Sequence, residues 1–128
     1  MHKLACPKCH KPIVQVNNSY KCENNHCYDI AKSKYLNLLL NPDKATNNPG
    51  DSKESLIARK AYLTKGYYDI ILENVINCIK KYHNNNSLDI LDLGCGEGYY
   101  TNGLKNAFKN DNIYGLDISK EAINMAKK

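Results

Sequence analysis

Residues 88–101 read LDILDLGCGEGYYT, an apolar run through Ile90, Leu91 and Leu93 that meets glycines at positions 94, 96 and 98. Glycine adopts backbone conformations closed to other residues and lets a ligand approach the main chain closely. A helix from about Tyr99 to Phe108 is predicted next. A second apolar run, Ile113-Tyr-Gly-Leu-Asp117, follows, its acid nineteen residues beyond Gly98. Ser119 or Lys120 then opens a further helix with Ala122, Ile123 and Ala126 on its apolar face. Strand, loop, helix, strand, helix in that order predicts an α/β fold with a parallel sheet. A glycine loop alone could be a mere tight turn; the ordered series with a terminal acid argues against that.

The glycine spacing is G-x-G-x-G, and position 99 is Tyr. The dinucleotide fingerprint G-x-G-x-x-G is therefore not matched. With Asp92 two residues ahead of the loop, the pattern resembles the first motif of class I S-adenosylmethionine methyltransferases. That resemblance implies a loop of Gly94, Gly96 and Gly98 whose backbone embraces the methionine portion and the edge of the adenosine. Asp117, at the tip of the second strand, suits ribose hydroxyls, because a carboxylate accepts more than one hydrogen bond. Cys95 is read as a small side chain in a tight loop and Cys78 as core.

At the other end, Cys6, Cys9, Cys22 and His26 form a C-x2-C-x12-C-x3-H series. Zinc takes four soft or borderline ligands in a tetrahedron, and a two-residue gap lets both thiolates of a knuckle face one ion. Cys27 rivals His26 for the fourth place. About thirty residues cannot bury enough surface to hold together unaided, so a metal staple is expected. A closed site with four protein ligands is structural, since no position is left for water.

Between these ends, residues 31–87 read as mainly helical around an irregular Pro-, Asn- and Gly-rich break at 41–51. Asp51, paired with Glu54, is the expected N-cap of a helix running through Leu56, Ile57, Ala61 and Tyr62 to near Gly66, with Ser52 as the alternative cap. A second helix from about Tyr68 to His83 presents Ile71, Leu72, Val75, Ile76 and Ile79 on one face. Residues 84–87 read as a polar linker.

The formal charge is +5, and Arg59 is the one arginine among eighteen basic residues. That balance suits nucleic acid as well as an ordinary solvated surface. Neither a signal peptide nor a membrane span is expected. A cytoplasmic setting keeps thiols reduced, so six cysteines point to metal or packing rather than disulfides.

The stretches CPKCHKP, SYKCENNH, AKSKYLNLL, NPGDSKE, ARKAYL and LDLGCGEGYYT together resemble the bacterial 23S ribosomal RNA guanine-N1 methyltransferases. The resemblance covers nearly the whole chain. It implies that Cys6, Cys9, Cys22 and His26 bind structural Zn2+, Cys27 being a departure from the pattern. It implies S-adenosyl-L-methionine as cofactor, with Gly96, Glu97 and Tyr68 in contact with it. The implied division is a zinc-binding RNA-recognition module (1–35), a helical connector with N-terminal helices (36–87) and the incomplete start of a Rossmann-like class I methyltransferase domain (88–128). The expected partner is a ribosomal RNA hairpin and not a membrane, with a homodimer left open. Only two strands of a seven-stranded sheet are found, so the chain is expected to be an N-terminal portion, and no catalytic residue is assigned. The alternatives are a non-catalytic zinc-dependent RNA-binding module and an inactive truncated product.

Overall fold

A computed structural model describes residues 4–41, 47–83 and 87–127. Most of the linker expected at 84–87 (residues 84–86) and part of the break at 41–51 (residues 42–46) therefore lie outside the described residues. The chain divides into two compact units, residues 1–47 and 48–128.

The first unit is a small antiparallel sheet of β1 (Ile13–Val16), β2 (Ser19–Cys22) and β3 (Cys27–Asp29). Val16 pairs with Ser19, so Asn17 and Asn18 alone make the β1–β2 turn. Asn17 takes a φ of 55°, a left-handed conformation that asparagine tolerates. Two tight turns carry the metal-type residues. In the first, His10 N–H donates to the Cys6 carbonyl at 2.8 Å; in the second, Asn25 N–H donates to the Cys22 carbonyl at 3.0 Å. The core is Cys6, Ile13, Cys22 and Tyr28, flanked by Leu4, Tyr20, Leu36, Leu38 and Leu40.

Residues 31–40 correct the helical expectation. The chain turns at Ala31–Tyr35, Leu36 bridges Ile30 antiparallel, and no α-helix forms before Lys53 among the described residues. The three leucines at 36, 38 and 40 pack on the ribbon core instead. Their spacing of two suits an extended segment with one buried side, and the apolar ribbon surface supplies the cover.

The second unit begins with α1 (Lys53–Leu63). Its cap is Ser52, not Asp51: Ser52 is extended and its hydroxyl accepts from Ser55 N–H at 3.2 Å. Leu56 and Leu63 are its buried residues. Gly50, just ahead of it, has a φ of 89°, and a Cβ there would lie 2.8 Å from the Ser119 side chain. Helix α2 (Asp69–Tyr82) is amphipathic, but none of its residues is buried. Its expected core face is therefore only partly covered; Leu72 packs against Gly103 of α3 (Tyr99–Ala107), where any side chain would collide with it.

Strands β4 (Asp89–Leu93) and β5 (Asn112–Leu116) pair in parallel, Asp92 beside Gly115, with α3 as the crossover. Helix α4 (Lys120–Ala126), capped by the Ser119 hydroxyl, follows β5. A zinc-ribbon-like module and the opening β-α-β-α of a Rossmann-like domain are thus the architecture. This agrees with the α/β fold class expected from the sequence.

Candidate functional site

The two turns of the first unit bring Cys6, Cys9, Cys22 and His26 together, with their ligand-type atoms all within 4.8 Å of one another. Cys9 and Cys22 Sγ are 3.7 Å apart, and Cys6 Sγ is 3.3 Å from His26 Nδ1. Zinc–sulfur bonds of about 2.3 Å at tetrahedral angles put thiolates about 3.8 Å apart, so the donor set fits Zn2+. Cys27 stands apart from the group and is exposed. It opens β3, whose next residue, Tyr28, faces the core, so the alternation of a strand turns Cys27 outward.

Tyr28 was not singled out by the sequence, yet its hydroxyl lies 3.0 Å from Cys6 Sγ. Burial pushes the Cys6 thiol up, but the Tyr28 hydroxyl and the backbone amides of Cys9 and Lys8 outweigh it, and the thiol falls to about 5. Burial, and then the bond to Cys6, push Tyr28 up to about 12. Burial raises Cys22. The cluster is therefore built to hold at least one thiolate, the form a metal takes.

In the second unit, β4 delivers the glycine loop to the end of β5. Gly94 and Cys95 N–H both donate to the Leu116 carbonyl, at 2.7 and 3.0 Å. Asp117 then closes the loop: one carboxylate oxygen accepts from Gly96 N–H at 2.9 Å and the other from Ser119 N–H at 2.8 Å. Asp92 accepts from the Thr101 hydroxyl at 2.6 Å, which ties the end of β4 to α3. Gly98 has a φ of 92°, and a Cβ there would lie 2.7 Å from Ala126 Cα. Gly94 also has a positive φ, yet a Cβ there would meet nothing within 4 Å. The loop is thus closed against α4 at Gly98 and open at Gly94, a surface a ligand can cover. Cys95 is buried beneath it; burial first, then the carboxylates of Asp117 and Asp92, raise its thiol to about 11.

Glu97 is buried and faces Arg59 of α1. In the sequence Arg59 stands out as the single arginine and as part of the ARKAYL stretch, and neither signal points to Glu97. Tyr68 sits at the start of α2, edge-on to Tyr62 with ring centroids 5.8 Å apart. Its neighbour Asp69 accepts a hydrogen bond from the Tyr99 hydroxyl, on the residue that follows Gly98.

Two modules are defined by these features, a metal-type ribbon and a methyltransferase-type loop. Comparison with known proteins gives the same division. Residues 4–46 match the zinc ribbon family described as "RlmA, N-terminal", and residues 84–128 match a family described as "Methyltransferase domain". A methyltransferase domain of this kind implies S-adenosylmethionine, and the ribbon implies structural zinc. Across almost its whole length the chain resembles 23S rRNA guanine-N1 methyltransferases. It is 29% identical over 126 residues to the 23S rRNA (guanine(748)-N(1))-methyltransferase of Streptomyces fradiae, a match covering 98% of this chain and 44% of that protein. It is 30% identical over 132 residues to a Bacillus subtilis (strain 168) protein provisionally named as a 23S rRNA (guanine-N(1)-)-methyltransferase, covering 96% of this chain and 45% of that one. A malonyl-[acyl-carrier protein] O-methyltransferase of Bacillus anthracis is 42% identical over 48 residues. The chain spans a little under half the length of the two rRNA methyltransferases that match nearly all of it.

Proposed function

We propose that this chain supplies the zinc module and the cofactor-binding start of an S-adenosylmethionine-dependent methyltransferase acting on guanine N1 of large-subunit ribosomal RNA. The observation that carries the reading is the junction, in one chain, of a Cys3His donor cluster and a glycine loop closed by the acid at the end of β5. In this reading Cys6, Cys9, Cys22 and His26 hold the zinc. Gly94, Gly96, Gly98 and Glu97 form the floor of the cofactor site, flanked by Tyr68 and Asp92. Asp117 retains lone pairs for ribose hydroxyls beyond the two it offers the backbone.

When bound, the cofactor supplies an electrophilic sulfonium methyl group. The chain's residues orient it; alignment of donor and acceptor is worth several kcal/mol, on the order of 7 or more in well-oriented systems. The target guanine must be unstacked to be reached. A hairpin that presents it is the finer substrate reading, and a homodimer is the alternative to a monomer. A ribosomal RNA substrate supports a cytoplasmic setting as the finer reading. Among the described residues no helix is long and apolar enough to cross a membrane.

Titration calorimetry with S-adenosylhomocysteine tests the cofactor site. Binding is expected to be lost in Asp117→Ala. Unaltered binding in that variant, or none in the zinc-loaded parent, sinks the reading. Transfer of labelled methyl to ribosomal RNA should stop reverse transcriptase at one guanine; label at another atom counts against guanine N1. A second reading, a zinc-dependent RNA-binding module, draws on exposed Lys8, Lys11, Lys21, Lys32 and Lys34. It predicts salt-sensitive RNA binding that is unchanged by Asp117→Ala.

A further inference from the structure

Tyr28, the middle residue of β3, is 7% exposed. Its hydroxyl ends 3.0 Å from Sγ of Cys6, which is wholly buried. The other side-chain contacts of the cluster's sulfurs join ligand to ligand, Cys6 to His26 and Cys9 to Cys22. Among the described residues, Tyr28 is thus the side chain outside the donor set that reaches a ligand sulfur. A metal-bound cysteine is a thiolate and carries no proton. The direction of the bond follows: the phenol donates and the sulfur accepts.

The ring and the hydroxyl do different things. The ring packs with Ile13 and Cys22 in the ribbon core, where a phenylalanine would fill the same space. The hydroxyl answers a charge. Three thiolates and a neutral imidazole around Zn2+ leave a net negative site, and a buried charge is costly unless it is hydrogen-bonded. Lys8, Lys11 and Lys21 are exposed, and Lys11 pairs with Glu23 at 3.1 Å, so water and salt screen their pull on the site. The phenol acts from inside the core, free of that screening. Its cross-strand neighbour Tyr20 turns its own hydroxyl to Gln15 instead, at 3.5 Å. We propose that Tyr28 is a positioning residue of the metal site, its hydroxyl donating to the Cys6 thiolate and so tightening the ribbon's hold on zinc. The inference rests on the zinc reading above and adds to it a residue outside the four ligands.

The test uses the whole chain. Zn2+ affinity is measured by competition with a chromophoric chelator, and the site is then read with Co2+ in place of zinc. Tyr28→Phe is expected to lose about ten- to a hundredfold in affinity, the scale for removing the hydrogen-bond partner of a metal ligand. Its sulfur-to-cobalt charge-transfer bands should move to lower energy, because a thiolate stripped of a hydrogen bond gives up an electron more readily. The ligand-field bands, which report the tetrahedron, should stay in place. Tyr20→Phe should change neither readout. Parent-like affinity and charge-transfer bands in Tyr28→Phe overturn the proposal, and so does an equal loss in Tyr20→Phe. A measurement on the parent needs no variant: with cadmium-113 bound, the Tyr28 hydroxyl proton should exchange slowly and couple to the metal through the sulfur. Exchange as fast as that of the Tyr20 hydroxyl overturns the proposal and spares the zinc reading. A parent that takes up no metal overturns both.

Discussion

Asp117 uses both carboxylate oxygens on backbone N–H groups, at Gly96 and Ser119, so one residue fixes the loop and the start of α4 together. Gly98 permits the close approach of the loop to Ala126, since both its φ and the nearby backbone exclude a side chain. Beneath them Cys95 shows the electrostatic effect of this arrangement. Its thiol rises from 9.0 to about 11, through burial first and then the two neighbouring aspartates. At pH 8 its thiolate fraction is therefore about a hundredfold below that of an ordinary cysteine. In folded, zinc-loaded protein at pH 8, iodoacetamide should therefore label exposed Cys27 and Cys78 well before Cys95, as read by peptide mass spectrometry. Labelling of Cys95 at an equal rate contradicts the buried, anion-flanked setting. The same shift has a consequence for stability. The unfolded chain loses this proton near 9.0 and the folded chain near about 11, so the contribution is whole below pH 9 and declines as pH rises towards 11.

At the scale of elements, the ribbon is a sheet of three- and four-residue strands whose core includes two of its own metal-type cysteines. Strands this short bury too little to persist alone, and metal binding in such modules is folding free energy. Removing zinc with a chelator should therefore melt β1–β3, seen as loss of dispersed amide signals from residues 4–40. Survival of those signals in metal-free protein would show that packing alone suffices. The register of β2 against β3 pairs Tyr20 with Tyr28 and Lys21 with Cys27. That register turns Cys27 to solvent, so Cys27→Ser should keep one zinc per chain while His26→Ser loses it, measured by metal analysis after dialysis. The reverse result would move the fourth ligand to Cys27. Farther along, the α1 cap lies at Ser52, one residue later than Asp51. Both types cap well, and the extended backbone at 52 with its Oγ bond to Ser55 N–H decides between them.

At the scale of the whole molecule, the two units differ in what covers their apolar surface. The ribbon core is enclosed by the leucines of residues 36–40. In the second unit Leu91, Leu93 and Leu116 of the parallel pair are exposed, Leu93 at 76%, and Ile70, Ile71 and Val75 of α2 are exposed as well. Exposed apolar area of this kind draws hydrophobic dyes and other protein surfaces. We expect the chain to bind anilinonaphthalene sulfonate in its folded state, and Leu93→Lys to lower the dye signal without changing the far-ultraviolet circular dichroism spectrum. Equal fluorescence in the variant would mean that this sheet face is covered in solution.

The β-α-β-α order, the glycine loop, the helices and the cysteine knuckles were legible in the sequence. Each depends on residues within a few positions of one another: periodicity, caps and backbone freedom are local properties. Tertiary structure alone decided the rest. It placed His26 rather than Cys27 beside the three thiols, because strand pairing sets which side chain turns inward. It laid residues 31–40 as an extended cover, because a nearby apolar core outweighs helical propensity. It set Arg59 against Glu97, thirty-eight positions away in the sequence, and Asp117 against Gly96. Pairings across such distances are chosen by how elements pack, and no local pattern in the chain encodes them.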